Sequence, residues 1–121
     1  MHLNDLPASG PQLIPRLLEI APEIAAIRRD IHAHPELRFE EARTSALVAD
    51  LLEKWGYRLT RGLGGTGIVG SLSNGSSQRS VGLRADMDAL PLQEHNTFAH
   101  TSRHAGKMHA CGHDGHTAML L

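Results

Sequence analysis

The chain has 121 residues, of which 40% are apolar and 21% charged, and its net charge is −1 at pH 7 with histidine neutral. This length suits one domain rather than two, and the balanced charge gives no basic patch of the kind that binds nucleic acid or a membrane surface. Aromatic residues make up only 3% of the chain, which disfavours surfaces that stack bases. We therefore expect neither a nucleic-acid nor a membrane partner.

The first residues and the cysteine content favour a cytoplasmic location. Residues 1–15 hold neither a basic segment nor an apolar core of the signal-peptide type. The single cysteine cannot form an internal disulfide, which fits a reducing compartment. Residues 1–10 include a proline, a serine and a glycine, and they predict a flexible N-terminal tail ahead of one structural unit at 11–121.

Two amphipathic helices are predicted in the first half of the chain. Apolar residues recur at helical spacing over 11–32, while Pro15 and Pro22 predict a break before a firmer helix that starts at Pro22. The proline of "HAHPEL" ends this helix because the residue before a proline disfavours the α conformation. A second helix is predicted within 39–56, "FEEARTSALVADLLEKWG", with its final glycine at the C-cap position.

The apolar pattern then changes to that of strands. Residues 57–63 and 66–73 predict two strands on either side of a turn at "GGTG". Asn74-Gly75 is a typical hairpin sequence and predicts a connection to a third strand. That strand, 79–90, is apolar along most of its length, so we expect it to be buried on both faces.

Residues 91–110 are predicted to be irregular, and a last helix is predicted with Asp114 as its N-cap. The order of helix, helix, three strands and helix indicates a mixed α/β layer. The chain ends inside the last helix, at Leu121, so we expect it to be the N-terminal part of a longer domain.

A candidate metal-binding motif lies in "MHACGHDGH", residues 108–116. Cys111 and His113 are two residues apart, a spacing that places both side chains on one side of an extended loop, and Gly112 lets the backbone turn. A thiolate with an imidazole suits zinc, while cobalt and manganese stay open. The alternative is a small buried thiol beside a surface histidine, since the further ligands of a structural zinc site are not found at suitable spacing.

Two carboxylates form a second candidate cluster. Asp86 and Asp88 lie at the end of the predicted third strand, and sites in α/β sheets form at such ends. Two carboxylates that repel each other persist there only with a cation or strong donors. In the alternative interpretation, Asp88 starts a turn before Pro91 and Asp86 pairs with Arg84.

Taken together, "DIHAHPELRFEE", "GLRADMDALPLQE" and "MHACGHDGHTAMLL" resemble the N-terminal part of a family of metal-dependent amidohydrolases and peptidases. It includes hippurate hydrolases, N-acyl-amino-acid amidohydrolases and indole-acetyl-amino-acid hydrolases, and the wider group includes aminoacylase and carboxypeptidases. The resemblance covers 27–121. It implies a three-layer αβα catalytic domain with a mixed sheet, of which 11–121 would be the N-terminal portion, truncated before an inserted lid and dimerisation domain.

The resemblance also implies roles for single residues. Cys111 and His113 match metal ligands of the family, and Asp88 matches the aspartate that orients the metal site. Asp86 stands where the wider group has a histidine ligand, so it is not assigned to the metal. The complete site would hold two divalent ions, with zinc expected first and manganese or cobalt as alternatives. The general-base glutamate, another glutamate ligand and two histidine ligands would lie beyond Leu121.

Other histidines are assigned on local grounds. His32 and His34 belong to the family pattern and are interpreted as structural residues near the C-terminus of the first helix, where a histidine can meet backbone carbonyls. His116 lies one turn into the last helix and is a further candidate to face the site. His95, His100 and His104 are expected to be solvated loop residues.

The implied reaction is hydrolysis of an N-acyl amino acid to a carboxylic acid and a free amino acid by metal-activated water. The resemblance leaves open a homodimer or a homotetramer, and this chain alone is expected to be inactive because later ligands are absent. One alternative is a non-catalytic fragment that binds metal weakly. The other is a cysteine hydrolase that uses Cys111 as its nucleophile.

Overall fold

The computed structural model describes residues 14–121, so the tail predicted at 1–10 lies outside the described residues. The elements in chain order are α1 (Pro15–Ala33), α2 (Ala42–Lys54), β1 (Arg58–Leu63), β2 (Gly67–Ser71) and α3 (His113–Leu120). None of the described helices has the length and apolar character needed to cross a membrane.

Helix α1 runs without the break that was predicted at Pro22, so that expectation is wrong. Pro15 occupies the start of the helix, where a missing N–H costs nothing. Pro22 lies in the half of α1 that is largely exposed, where water can hydrate the carbonyl that loses its partner. Only the last turn of α1 is buried, and it includes Ile31 and His32. Helix α1 packs against α3.

Helix α2 begins where a carboxylate from the preceding segment reaches its first turn. Glu36 accepts hydrogen bonds from the N–H groups of Arg43 at 2.9 Å and Thr44 at 2.7 Å. These N–H groups have no partner within the helix, so Glu36 supplies the cap. The helix ends at Lys54 with Trp55 as its C-cap, and Gly56, expected at the C-cap, follows one position later with a positive φ of 86°.

Strands β1 and β2 form an antiparallel hairpin, which confirms the first two predicted strands. The pairing runs from Arg58 opposite Ser71 to Leu63 opposite Gly67, with a bulge before Leu63. The "GGTG" segment makes the turn, as expected. Helix α2 packs against both strands of this hairpin.

The predicted third strand is not formed over 79–90, and the hairpin predicted at Asn74-Gly75 is absent with it. Val81 is 87% exposed and Leu83 is 76% exposed, so burial on both faces is also wrong. A central strand needs neighbours on both edges. Among residues 14–121, β1 and β2 pair only with each other, and 79–90 has isolated bridges to Leu37 and Met108 alone.

The segment 91–110 is irregular, as predicted, and connects to α3. Gly112 precedes α3 at a φ of 82°, which leaves the first residue of the helix at His113. Asp114, expected as the N-cap, is instead inside the first turn of α3 and is fully buried, so that expectation is wrong. Its carboxylate points towards α1, where Nε of Arg28 and Nδ1 of His32 lie within hydrogen-bond distance of Oδ2.

Candidate metal centre

One carboxylate and two imidazoles converge where the segment before 91–110 meets α3. His113 and His116 are three residues apart and therefore share one face of the helix. Nδ1 of His116 lies 2.6 Å from Oδ1 of Asp86, and Nε2 of His113 lies 3.3 Å from its Oδ2. One donor atom from each of the three side chains lies within 4.8 Å of the others.

Asp88 holds His113 from the other side of the ring. Nδ1 of His113 donates to Oδ1 of Asp88 at 2.9 Å and lies 3.0 Å from its backbone oxygen. A proton on Nδ1 leaves Nε2 with the lone pair, and Nε2 is the atom that faces Asp86. The hydroxyl of Thr117 donates to the backbone oxygen of Asp86 at 2.9 Å and so fixes this segment to α3. The contact that an orienting role for Asp88 requires is therefore present, and the role itself stays a prediction.

Cys111 is exposed in the turn before α3 and does not belong to the converging group among the described residues. The structure thus brings His113 together with Asp88, Asp86 and His116, and Cys111 is not a member of the group whose donor atoms lie within 4.8 Å of one another. The assignment of Cys111 and His113 as ligands stays a prediction. The sequence analysis did not assign Asp86 to the metal, and the structure adds it to the candidate donors. The sequence did contain a clue to this group, because two histidines three residues apart in a helix lie on the same face.

The donor set fits a borderline divalent cation. A carboxylate oxygen with imidazole nitrogens suits zinc, manganese or cobalt. The hydrogen bond from His116 lowers the pKa of Asp86, and this outweighs the opposing effect of burial. Asp86 is therefore ionised at neutral pH, the state in which a carboxylate binds a metal. The site opens on a groove lined by Arg84, Ala85, Met119 and Leu120.

A buried charged cluster lies on the opposite side of α3. Nδ1 of His32 lies 2.9 Å from Oδ2 of Asp114, and its Nε2 lies 3.1 Å from Oε1 of Glu94. His32 was interpreted as a structural residue that meets carbonyls or the helix dipole at the end of α1. It does lie in the last turn, but its ring nitrogens contact two carboxylates rather than carbonyls. His34 does meet a carbonyl, since its Nδ1 lies 2.8 Å from the backbone oxygen of Asp30.

Asp114 is held as a carboxylate by its neighbours. Burial alone would raise the pKa of Asp114, but the hydrogen bond from His32 and the charge of Arg28 contribute to lowering it overall. Nε of Arg28 lies 3.1 Å from the same oxygen, Oδ2. His109 lies nearby and is also buried, and burial lowers its pKa, so it is neutral at pH 7.

Glu94 gives this cluster a dependence on pH. Burial would raise its pKa, but hydrogen bonds from Asn96, Ser102 and His32 lower it to about 2. The unfolded chain therefore binds a proton at Glu94 more readily, and the stabilisation is lost as the pH falls from about 4.5 towards about 2.

We expect Glu94→Gln to lower the free energy of unfolding by about 1–3 kcal/mol near neutral pH, the usual cost of a lost partner at a buried charged group. The difference from the parent protein should shrink between pH 4.5 and about 2. Urea unfolding at a series of pH values measures it, with Glu23→Gln on the exposed part of α1 as the control. A difference that stays constant over this range would contradict the assignment.

The fold and the site define the class of protein: an α/β protein with a cluster of histidines and carboxylates at α3. Residues 82–121 match peptidase family M20/M25/M40. The chain is 50% identical to hippurate hydrolase of Campylobacter jejuni, over 90% of this chain and 28% of that protein. It is 48% identical to N-acyl-L-amino acid amidohydrolase of Geobacillus stearothermophilus, over 85% of this chain and 28% of that protein.

A solved structure also resembles this chain. The chain is similar to the YXEP protein of Bacillus subtilis, a dinuclear metal binding peptidase from the M20 family, with a TM-score of 0.78 and 36% identity. The match covers 84% of this chain and 28% of that one. The family match at 82–121 and the similarity to these relatives confirm the resemblance seen in the sequence and the α/β fold class. The chain spans little more than a quarter of the length of these relatives.

Proposed function

We propose that the protein containing this chain is a metal-dependent amidohydrolase that releases a carboxylic acid and an amino acid from an N-acyl amino acid. The observation that carries the proposal is the contact of Asp86 and Asp88 with His113, inside the segment that matches the family. The names of the two curated relatives support this substrate class, since both describe hydrolysis at the nitrogen of an acylated amino acid.

The proposed cofactor is a pair of divalent ions, with zinc first and manganese or cobalt as alternatives. His113 and Cys111 are the proposed ligands on this chain, and Asp86 with His116 are the further donors that lie close enough to take part. A bound ion of this kind supplies a water with a pKa near neutrality and polarises the carbonyl of the substrate. Asp88 fixes the ring of His113 so that Nε2 faces Asp86, and these two side chains would hold the ion between them.

The chain alone is proposed to be inactive. Hydrolysis needs a carboxylate that takes a proton from the attacking water, and the carboxylates in this cluster are already bound to histidines. The family's general-base glutamate and further ligands would come from other parts of the protein. We also propose that the complete protein is cytoplasmic and assembles as a homodimer or homotetramer, which cell fractionation and light scattering test.

Chelation of the intact protein tests the proposed reaction. We expect it to hydrolyse hippurate or a related N-acyl amino acid, to lose this activity to background with a zinc chelator, and to recover it when zinc, manganese or cobalt is restored. The reason is that water bound to a divalent ion is the proposed source of the nucleophile. Metal content measured in the same samples should follow activity.

The alternatives give other results in this experiment. Activity that resists the chelator but is lost on alkylation of Cys111 would support a cysteine hydrolase. Weak metal binding without hydrolysis of any N-acyl amino acid would support the non-catalytic alternative. Both results would contradict the proposed function.

A further inference from the structure

The cluster around His32 joins three separate parts of the chain. His32 lies in the last turn of α1, Glu94 in the irregular segment, and Asp114 in the first turn of α3. The side chain of His32 is 6% exposed, that of Glu94 is 1% exposed and that of Asp114 is fully buried. Water is thus nearly excluded from these contacts. The hydrogen-bond partners of these three side chains are therefore other groups of the protein.

The ring of His32 links two carboxylates. Its Nδ1 lies 2.9 Å from Oδ2 of Asp114, and its Nε2 lies 3.1 Å from Oε1 of Glu94. Arg28 adds a cation beside Asp114. Ionised carboxylates accept hydrogen bonds and persist when buried only with such partners. A replacement that reaches only one of the two carboxylates would break the link between α3 and the irregular segment.

The cluster acts on the part of α3 that carries the candidate ligands. Asp114 is bonded to His113 along the chain, and the two side chains leave the helix on different sides. The helix has no side-chain N-cap, and Gly112 before it has a positive φ of 82°. A glycine at this point restricts the backbone little, so side-chain contacts are needed to orient the first turn. They include Asp114 with His32 and Arg28 on one side and His113 with Asp88 on the other.

We propose that His32 is a positioning residue of the metal centre: by binding Asp114 it fixes the first turn of α3 and thereby the direction of His113 and His116. Glu94 holds the opposite nitrogen of the ring and keeps its plane in place. This inference rests on the proposed function, because it requires that a cation binds at His113.

The test uses the intact protein and cobalt as the probe. Cobalt affinity is measured by competition with a coloured chelator, and the visible absorption of the bound cobalt reports the geometry of its ligands. We expect His32→Gln to weaken cobalt binding about 10-fold, the lower end of the range for residues that orient ligands, and to change the absorption spectrum. Glu36→Ala is the matched control. It removes the cap of α2 and lowers stability but contacts no residue of the site through its side chain, so its affinity and spectrum should equal those of the parent.

A second variant covers the case in which His32→Gln does not fold. Asp114→Asn keeps the size of the side chain and weakens the same contact, so it should lower cobalt affinity in the same direction. If both variants act through one contact, the double variant should lose little more than the weaker-binding single variant, because effects through a shared contact are not additive.

The outcomes separate the two proposals. Parent-like cobalt affinity and spectrum in both single variants, or fully additive losses in the double variant, would overturn the positioning role while leaving the metal site intact. A loss of affinity of the same size in Glu36→Ala would also overturn it, since stability alone would then explain the effect. If the parent protein itself binds none of cobalt, zinc and manganese, the proposed function fails and this inference fails with it.

Discussion

Replacing His113 by alanine is expected to lower hydrolysis of an N-acyl amino acid by the intact protein on the order of 1000-fold or more, beyond the 10- to 100-fold loss typical of residues that act through a ligand. His113 is a candidate ligand both in the pair with Cys111 and in the group with Asp86 and His116. It also contacts Asp86 and Asp88. Bound metal, measured in the purified protein, should fall in parallel with activity. His95→Ala, in the exposed part of the irregular segment, is the matched control and should keep both.

Two further variants separate the candidate ligand sets. If Cys111 is a ligand, Cys111→Ala should lower metal content and activity, although its thiol is not among the three side chains that converge within 4.8 Å. If Asp86 is a ligand, Asp86→Asn should do the same, because an amide oxygen is a weaker donor than a carboxylate for zinc. Full metal content and full activity in His113→Ala would rule out both sets.

The second large effect is expected at Asp88. Asp88→Asn keeps the size of the side chain and removes its charge, so the proton on Nδ1 of His113 loses its carboxylate partner. We expect kcat to fall about 10- to 100-fold, with metal content reduced rather than lost. Steady-state kinetics with a hippurate-type substrate and metal analysis of the same sample measure the two effects. Asp50→Asn, exposed on α2, is the control, and parent-like kinetics in Asp88→Asn would remove Asp88 from the site.

The parts of the fold that the sequence predicted are those set by local interactions. Helix α2 has its apolar stripe and its closing Gly56 within one short segment, and the hairpin has its glycine turn between its two strands. The third predicted strand failed because a strand depends on partners distant in sequence. Within residues 14–121 only single bridges reach 79–90, and apolar composition does not reveal whether a partner is present.

The candidate site also has parts that are local in sequence and contacts that are not. The spacing of Cys111 and His113 and the pair Asp86 and Asp88 could be recognised in the sequence because each is local. The contacts between them could not, because Asp88 and His113 are 25 positions apart. His32 is the extreme case, since its two partners lie 62 and 82 positions away and its position at a helix end suggested a different role.

The exposed segment at 79–85 affects how this piece of the protein should behave when it is produced alone. The segment is not part of a strand among the described residues, and the side chains of Val81 and Leu83 project into solvent. Exposed apolar side chains of this kind favour association between copies of the chain. Samples of the isolated piece will therefore form aggregates that grow with concentration, and a charged or proline substitution at Val81 is the direct way to keep it in solution.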